Sequence, residues 1–225
     1  VRSALTKHRA GGVASLALLH LDGTNGSSTF TDVYGNTWSA VNSAVLSTTQ
    51  AKFGTASLAT TNNKHITTPE AANWNFTGDF TVELQLYLNT NPTGGFNALI
   101  SKGALSTHWI LFQLNTTGGI AMLYSTSGGT WGFSISEATA ITTGAWHHLA
   151  LVRSSGVGTG YLDGTSFGTA SLSGTLSTDS SSALSIGGDA AGNGQAIDGY
   201  VDEIRISNVA RYTSNFTPPS SAFTF

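Results

Sequence analysis

The sequence predicts an all-β chain of antiparallel strands joined by many turns, on three observations. Charged residues are only 9% of the 225, and hydrophobic residues, at 40%, are not raised to match; an average soluble domain carries about 25% charged residues. The balance is Gly, Ser, Thr, Ala and Asn, a mixture that suits strands joined by many turns with hydroxyls toward solvent. Glycines number 27 against 4 prolines, as expected where many turns need positive φ. The third observation is period-two alternation. In 80–88, Phe80, Val82, Leu84, Leu86 and Leu88 share one face and Thr81, Glu83, Gln85 and Tyr87 the other, the pattern of a half-buried antiparallel strand.

Taken in order, residues 1–12 read as a flexible basic arm, with Arg2, Lys7, His8 and Arg9 ahead of Gly11-Gly12. Such a segment has too little apolar surface to order itself. Residues 13–225 read as one domain, because no charge run or Pro-rich linker divides them. Segment 13–19 (VASLALL) reads as a strand: it is too short to span a membrane, and Asp22 follows without a small-residue cleavage site. After 80–88 come strands at 109–114, 120–124 and 131–135. They are divided by Thr117-Gly118-Gly119 and Ser127-Gly128-Gly129, which read as hairpin turns. In 146–153, Trp146, His148, Ala150 and Val152 oppose His147, Leu149, Leu151 and Arg153. Asp163-Gly164, between two extended runs, is the strongest short hairpin signal in the chain. The last strand is 200–207, and Asn208–Tyr212 fits a single helical turn. Trp74 and Trp146 read as core.

Several function classes fall away at this level. There is no cysteine, so thiolate chemistry, disulfides and zinc–thiolate sites are excluded. The net charge of −3 supplies no overall basic field for nucleic acid. No apolar run approaches a membrane span. Glycine-rich 187–194 (GGDAAGNG) has no helix after it to cradle a phosphate.

Eight segments, in order, together resemble the laminin G-like members of the concanavalin A-like lectin and glucanase superfamily. They are LLHLDG (18–23), KFGTASL (52–58), DFTVEL (79–84), LISKG (99–103), GAWHHLALVR (144–153), YLDGT (161–165), LSIGGD (184–189) and IDGYVDEIRISNVARY (197–212). The resemblance covers roughly 16–216 and implies a jelly roll: two antiparallel sheets packed face to face, first and last strands adjacent. It also implies a structural Ca²⁺ near Asp22, at the end of the first strand, and Asp202, in the last, with a backbone carbonyl from the loop at Gly54. Two carboxylates and a carbonyl make a hard oxygen site of the kind calcium takes. Asp32 and Asp198 are reserve ligands; the plain alternative is that Asp22-Gly23 is only a turn and Asp202 only a strand-end residue.

Glucanases of this superfamily need paired carboxylates at alternating positions of one strand, so that acid and nucleophile flank one bond. Here Glu83 is followed by Gln85, and Asp202 and Glu203 are adjacent, which on a regular strand sends them to opposite faces. Glu83 therefore reads as a polar residue on the open face, and the chain as no enzyme. His147 and His148 likewise point apart, and His20, His65 and His108 are isolated in sequence. Sugar stacking needs exposed aromatic faces; Trp38, Trp109, Trp131 and Tyr124 are the candidates. Three functions follow as expectations. The first is a virion or cell-surface structural or adhesion module, of capsid-decoration or tail-fibre type, like the similar domains on bacteriophage and bacterial surface proteins. Its partners would be other virion or surface proteins, or further copies of itself, docked through Arg2, Lys7 and Arg9, with a glycan as a further ligand. The second is a secreted carbohydrate-binding module of a polysaccharide-degrading system. The third, and most distant, is a glycoside hydrolase.

Overall fold

The computed structural model describes residues 15–103, 110–127, 130–136, 140–173, 181–189 and 196–224. The basic arm, with Arg2, Lys7 and Arg9, lies outside the described residues. The strands, in chain order, are β1 Ser15–Leu19, β2 Ser39–Val41, β3 Val45–Ser47, β4 Ser57–Ala59, β5 His65–Thr68, β6 Phe80–Leu88, β7 Asn97–Lys102 and β8 Ile110–Leu114. They continue as β9 Ile120–Ser127, β10 Thr130–Ser136, β11 Trp146–Ser154, β12 Val157–Leu162, β13 Thr165–Ser171, β14 Leu184–Ile186 and β15 Gly199–Ser207. The helical turn expected at Asn208–Tyr212 is absent. Among the described residues the one helical element is a 3-10 turn at Ala72–Trp74, and no helix is long and apolar enough to cross a membrane.

Two antiparallel sheets result. The larger runs β13-β12-β11-β6-β15-β4-β3, with β1 also on β15; the smaller runs β10-β9-β8-β7-β14-β5-β2. First and last strands pair, Leu19 opposite Ile204, as the resemblance implied. β15 has two partners on one edge: β4 along Tyr200 and Val201, then β1 along Ile204–Ser207. Between them the register with β6 slips, from Asp202 opposite Gln85 to Arg205 opposite Glu83, and Glu203 takes φ +48°. This is a β-bulge, one device by which a strand re-aims side chains.

The apolar face of β6 is closed against the smaller sheet. Phe80, Val82, Leu84, Leu86 and Leu88 form one cluster with Ile66, Ile100, Phe112, Met122, Tyr124 and Ile186. Trp74 is buried there too, its indole N–H donating to the Pro69 carbonyl.

The opposite face of the larger sheet is not left open. After β15 the chain turns back across it, and Tyr212 and Phe216, stacked 3.6 Å apart, pack on Ala150, Val152 and Tyr161. This strap is tied down at Gly164, whose carbonyl accepts from the Phe216 N–H. Asp163 and Gly164, at φ +48° and +75°, form the two-residue turn between β12 and β13, the conformation for which Asp-Gly is favoured. A Cβ on Gly164 would overlap the Phe216 carbonyl oxygen. Gly164→Ala therefore combines a left-handed backbone with a clash, and is expected to cost more than about 1 kcal/mol. Urea titration checks this; an unchanged midpoint would mean the strap is not seated on the turn.

Candidate functional site

Two regions of the larger sheet carry the polar chemistry, and a third carries half-buried aromatics. The first is the acidic corner at the β15 bulge. The loop between β3 and β4 runs between Asp22 and Asp202. The Asp202 Oδ2 accepts from the Lys52 and Phe53 N–H groups at 2.7 and 3.2 Å. The Asp22 Oδ1 accepts from the Thr55 N–H at 2.5 Å and the Thr55 hydroxyl at 3.1 Å. Gly54 sits between them at φ +65°, and a Cβ there would overlap the Asp22 carboxylate. Asp22, Gly54 and Asp202, distant in sequence, thus occupy one corner.

The corner is electrostatically frustrated. Burial pushes the Asp202 carboxyl up to about 7, against the pull of the Phe53 and Lys52 N–H groups and with added repulsion from Glu203. Burial also raises Glu203, with Asp22 adding repulsion and the Phe223 N–H and His20 opposing it. Adjacency was expected to send Asp202 and Glu203 apart. The bulge overrides that alternation and leaves their charges coupled. Nor is His20 isolated: its Nδ1 lies 2.8 Å from the Glu203 Oε1. An all-oxygen, anionic corner with a glycine cradle fits a hard cation in kind. Among the described residues no group of three or more His, Asp or Glu side chains could hold a metal. An ion here would draw on two carboxylates, the Gly54 carbonyl and water. Asp202 is fully buried, so its raised pKa gives it no access to a substrate.

The second region lies under the strap, where Glu83 corrects another expectation. It sits on the outer face but is fully buried, not open. Its carboxylate meets the Arg205 Nε at 2.8 Å, the His148 Nε2 at 3.1 Å and the Tyr212 hydroxyl at 2.8 Å, with the Arg211 Nε at 3.8 Å. Burial alone would raise its pKa; the bonds to His148 and Arg205 and their charge outweigh it and hold the carboxyl below the usual range. Period-two alternation places Glu83 and His148 on this face correctly. Nothing local in sequence reveals that residues 208–224 come back over them.

The third region is an aromatic row. Trp146, Tyr87 and Tyr200 stand in register on β11, β6 and β15, with ring centroids 5.5 and 6.0 Å apart. All three are half-buried. Trp146 is thus on the outer face and not in the core. None of the three polar tips is hydrogen-bonded to the described residues. Asn89, Thr90 and Asp198 lie at the adjoining sheet end, where both side chains donate to the Asp198 carboxylate at 3.0 Å. Beside the row, Gln85 is buried with neither amide atom paired.

The aromatics singled out from sequence fare differently. Trp38 is buried at 6% exposure and donates its indole N–H to the Asp32 Oδ2. Tyr124 is fully buried in the inter-sheet core. Neither offers an open face, because residue type marks an aromatic ring but not whether packing covers it. Asp32 also accepts from Leu18, Tyr34 and Asn36, so it is a loop anchor. Trp109 lies outside the described residues. Trp131 is placed on β10, its backbone paired with Ser125; its side chain lies outside the description. The row was readable in part: the alternation puts Tyr87 on the polar face of its strand and Trp146 beside His148. What sequence lacked was the register that aligns three strands.

Residues 60–214 match the family model described as Concanavalin A-like lectin/glucanases superfamily. Among curated proteins none matches the sequence. Among solved structures, the chain is similar to the binding domain of Paraclostridial Mosquitocidal Protein 1, with TM-score 0.67 and 14% identity over 88% of this chain and 49% of that one. It is similar to domain 4 of AbnA, a GH43 extracellular arabinanase from Geobacillus stearothermophilus in complex with arabinotriose, with TM-score 0.66 and 16% identity over 89% and 95%. A third is the botulinum neurotoxin serotype D ligand binding domain in complex with N-acetylneuraminic acid, with TM-score 0.65 and 12% identity over 88% and 48%. The chain spans about half of each toxin domain and nearly all of the arabinanase domain. At these identities the likeness is one of fold.

Proposed function

This chain belongs to the concanavalin A-like lectin/glucanases superfamily, and we propose that it is a non-catalytic glycan-binding module, displayed outside the cell or on a virion surface. The observation that carries the reading is the row Trp146–Tyr87–Tyr200, whose indole N–H and phenol hydroxyls make no hydrogen bond to the described residues. Aromatic side chains present an apolar body and a polar tip, which matches a sugar's apolar face and hydroxyl rim. The sugars bound by the arabinanase domain and the neurotoxin domain support the class of ligand. Hydrolysis finds no support at Glu83: a general acid needs a raised pKa, and Glu83 is held ionised by Arg205 and His148.

Arabinotriose, N-acetylneuraminic acid and a broad glycan array are the probes. Trp146→Ala is expected to weaken the best binder about tenfold or more, equivalent to about 1.4 kcal/mol, while Trp146→Phe keeps most of the affinity. An array with no binder, or a binder indifferent to Trp146→Ala, would overturn the reading. A structural Ca²⁺ held by Asp22, Asp202 and the Gly54 carbonyl belongs to the same proposal. The ion would neutralise the acidic corner and lock the β3–β4 loop onto β15. Virion or surface display would use the arm residues Arg2, Lys7 and Arg9 as a docking strap. Co-purification of the protein with assembled particles, lost when residues 1–12 are deleted, would support that finer assignment.

A further inference from the structure

Beside the Glu83 cluster a cavity of about 300 Å³ opens between β15 and the strap, lined by Arg205, Val209, Ala210, Arg211 and Tyr212. Among the described residues its charge does not balance: Arg205 and Arg211 face a single carboxylate, Glu83, which bonds the Arg205 Nε at 2.8 Å and lies 3.8 Å from the Arg211 Nε. Tyr212, which donates to Glu83, has its pKa raised by burial and by the Glu83 charge, so it stays neutral. Each guanidinium is fixed by other bonds. The Arg205 Nη1 donates to the Thr224 carbonyl at 2.9 Å, and its plane lies 4.4 Å from the Phe223 ring. The Arg211 Nε donates to the Ser207 hydroxyl at 2.8 Å and its Nη2 to the Ser15 hydroxyl at 2.7 Å. That leaves the Arg205 Nη2 and the Arg211 Nη1 with no protein acceptor among the described residues, and neither is sealed from solvent.

Two mostly desolvated, pre-oriented guanidiniums with one free nitrogen each form a receptor for a flat or tetrahedral oxyanion, the geometry arginine recognises best. We infer that this cavity receives the carboxylate or sulfate group of an acidic saccharide. The inference rests on the glycan-binding reading and narrows it: the face of the larger sheet that carries the aromatic row also carries an anion subsite, so acidic glycans are preferred over neutral ones. The cavity is large enough for one such group with part of its ring. Val209 and Ala210 also line it.

Titration calorimetry on the full chain at constant ionic strength tests this with three probes: inorganic sulfate, a sulfated or uronate oligosaccharide, and its uncharged counterpart. The acidic oligosaccharide is expected to bind at least tenfold more tightly than the neutral one, with sulfate alone weak but detectable. Arg211→Gln should erase the preference. Because Arg211 also holds Ser15 and Ser207, a second variant, Val209→Glu, introduces a carboxylate at the wall. It should block sulfate and the acidic sugar without lowering the melting temperature. Equal affinity for acidic and neutral sugars overturns the subsite while leaving glycan binding intact. Sulfate binding with no oligosaccharide bound, charged or neutral, overturns both. An acidic preference that survives Val209→Glu places the anion elsewhere and overturns the assignment.

Discussion

Glu83→Ala is expected to lower the unfolding free energy by about 3–5 kcal/mol, the usual cost of removing one partner from a buried ion pair. The substitution leaves Arg205 desolvated, strands the His148 Nε2, and frees the Tyr212 hydroxyl that pins the strap. Glu83→Gln should cost less, because the amide oxygen still accepts, but it loses the charge. The pH dependence has a defined sign. The folded pKa of Glu83 is depressed below 4.5, so its contribution is complete above that value and is lost as pH falls through the folded pKa. The gap between parent and Glu83→Gln should therefore close under acid. Urea denaturation at pH 7 and pH 3 measures it. A loss under 1 kcal/mol at pH 7 would mean the cluster is not load-sharing between sheet and strap.

Asp202→Asn is expected to change sign with calcium. Without the ion, the Asp202 carboxyl is pushed up to about 7 from 3.8. A raised carboxyl contributes stability that is complete below pH 3.8 and is lost as pH rises through 7. A shift of three units corresponds to a cost on the order of 4 kcal/mol above pH 7. Asparagine carries no charge, so without calcium the variant should melt higher than the parent at pH 8, and the gain should vanish near pH 4. With calcium the gap narrows, and the order reverses only beyond about a thousandfold excess over Kd, where an ion bound only by the native state adds about 4.1 kcal/mol, because Asp202→Asn weakens that site. Differential scanning calorimetry in chelator and in calcium separates the cases. A parent whose melting ignores both would remove the ion from this corner.

The strand pattern was legible because each strand records its own burial. The alternation in Phe80–Leu88 places Leu84 and Leu86 in the core, where both are fully buried. Asp163-Gly164 states its own turn, since few other pairs tolerate two left-handed residues. Trp74 is core as expected. The exceptions share a cause. Glu83 was read as open and Trp146 as core because alternation separates two faces without saying what covers either. Trp38 and Tyr124 were read as platforms by residue type, and packing closed them. Asp202 and Glu203 were read as divergent because a bulge has no local signature here: Glu203 adopts a left-handed φ that no glycine announces.

By itself the sequence determined the class of fold, the faces of the long strands, and the nearness of Asp22 to Asp202 through the pairing of first and last strands. Those follow from short-range periodicity and from one resemblance spanning most of the chain. Only the tertiary structure decided which polar residues act together. Glu83 and Arg205 are 122 positions apart, and Trp146, Tyr87 and Tyr200 align only through the register of three strands. The return of residues 208–224 over the outer face turns an exposed carboxylate into a buried ion pair and leaves two arginines beside a cavity. Desolvation and cross-strand register depend on what the rest of the chain places alongside, and no window of sequence contains that.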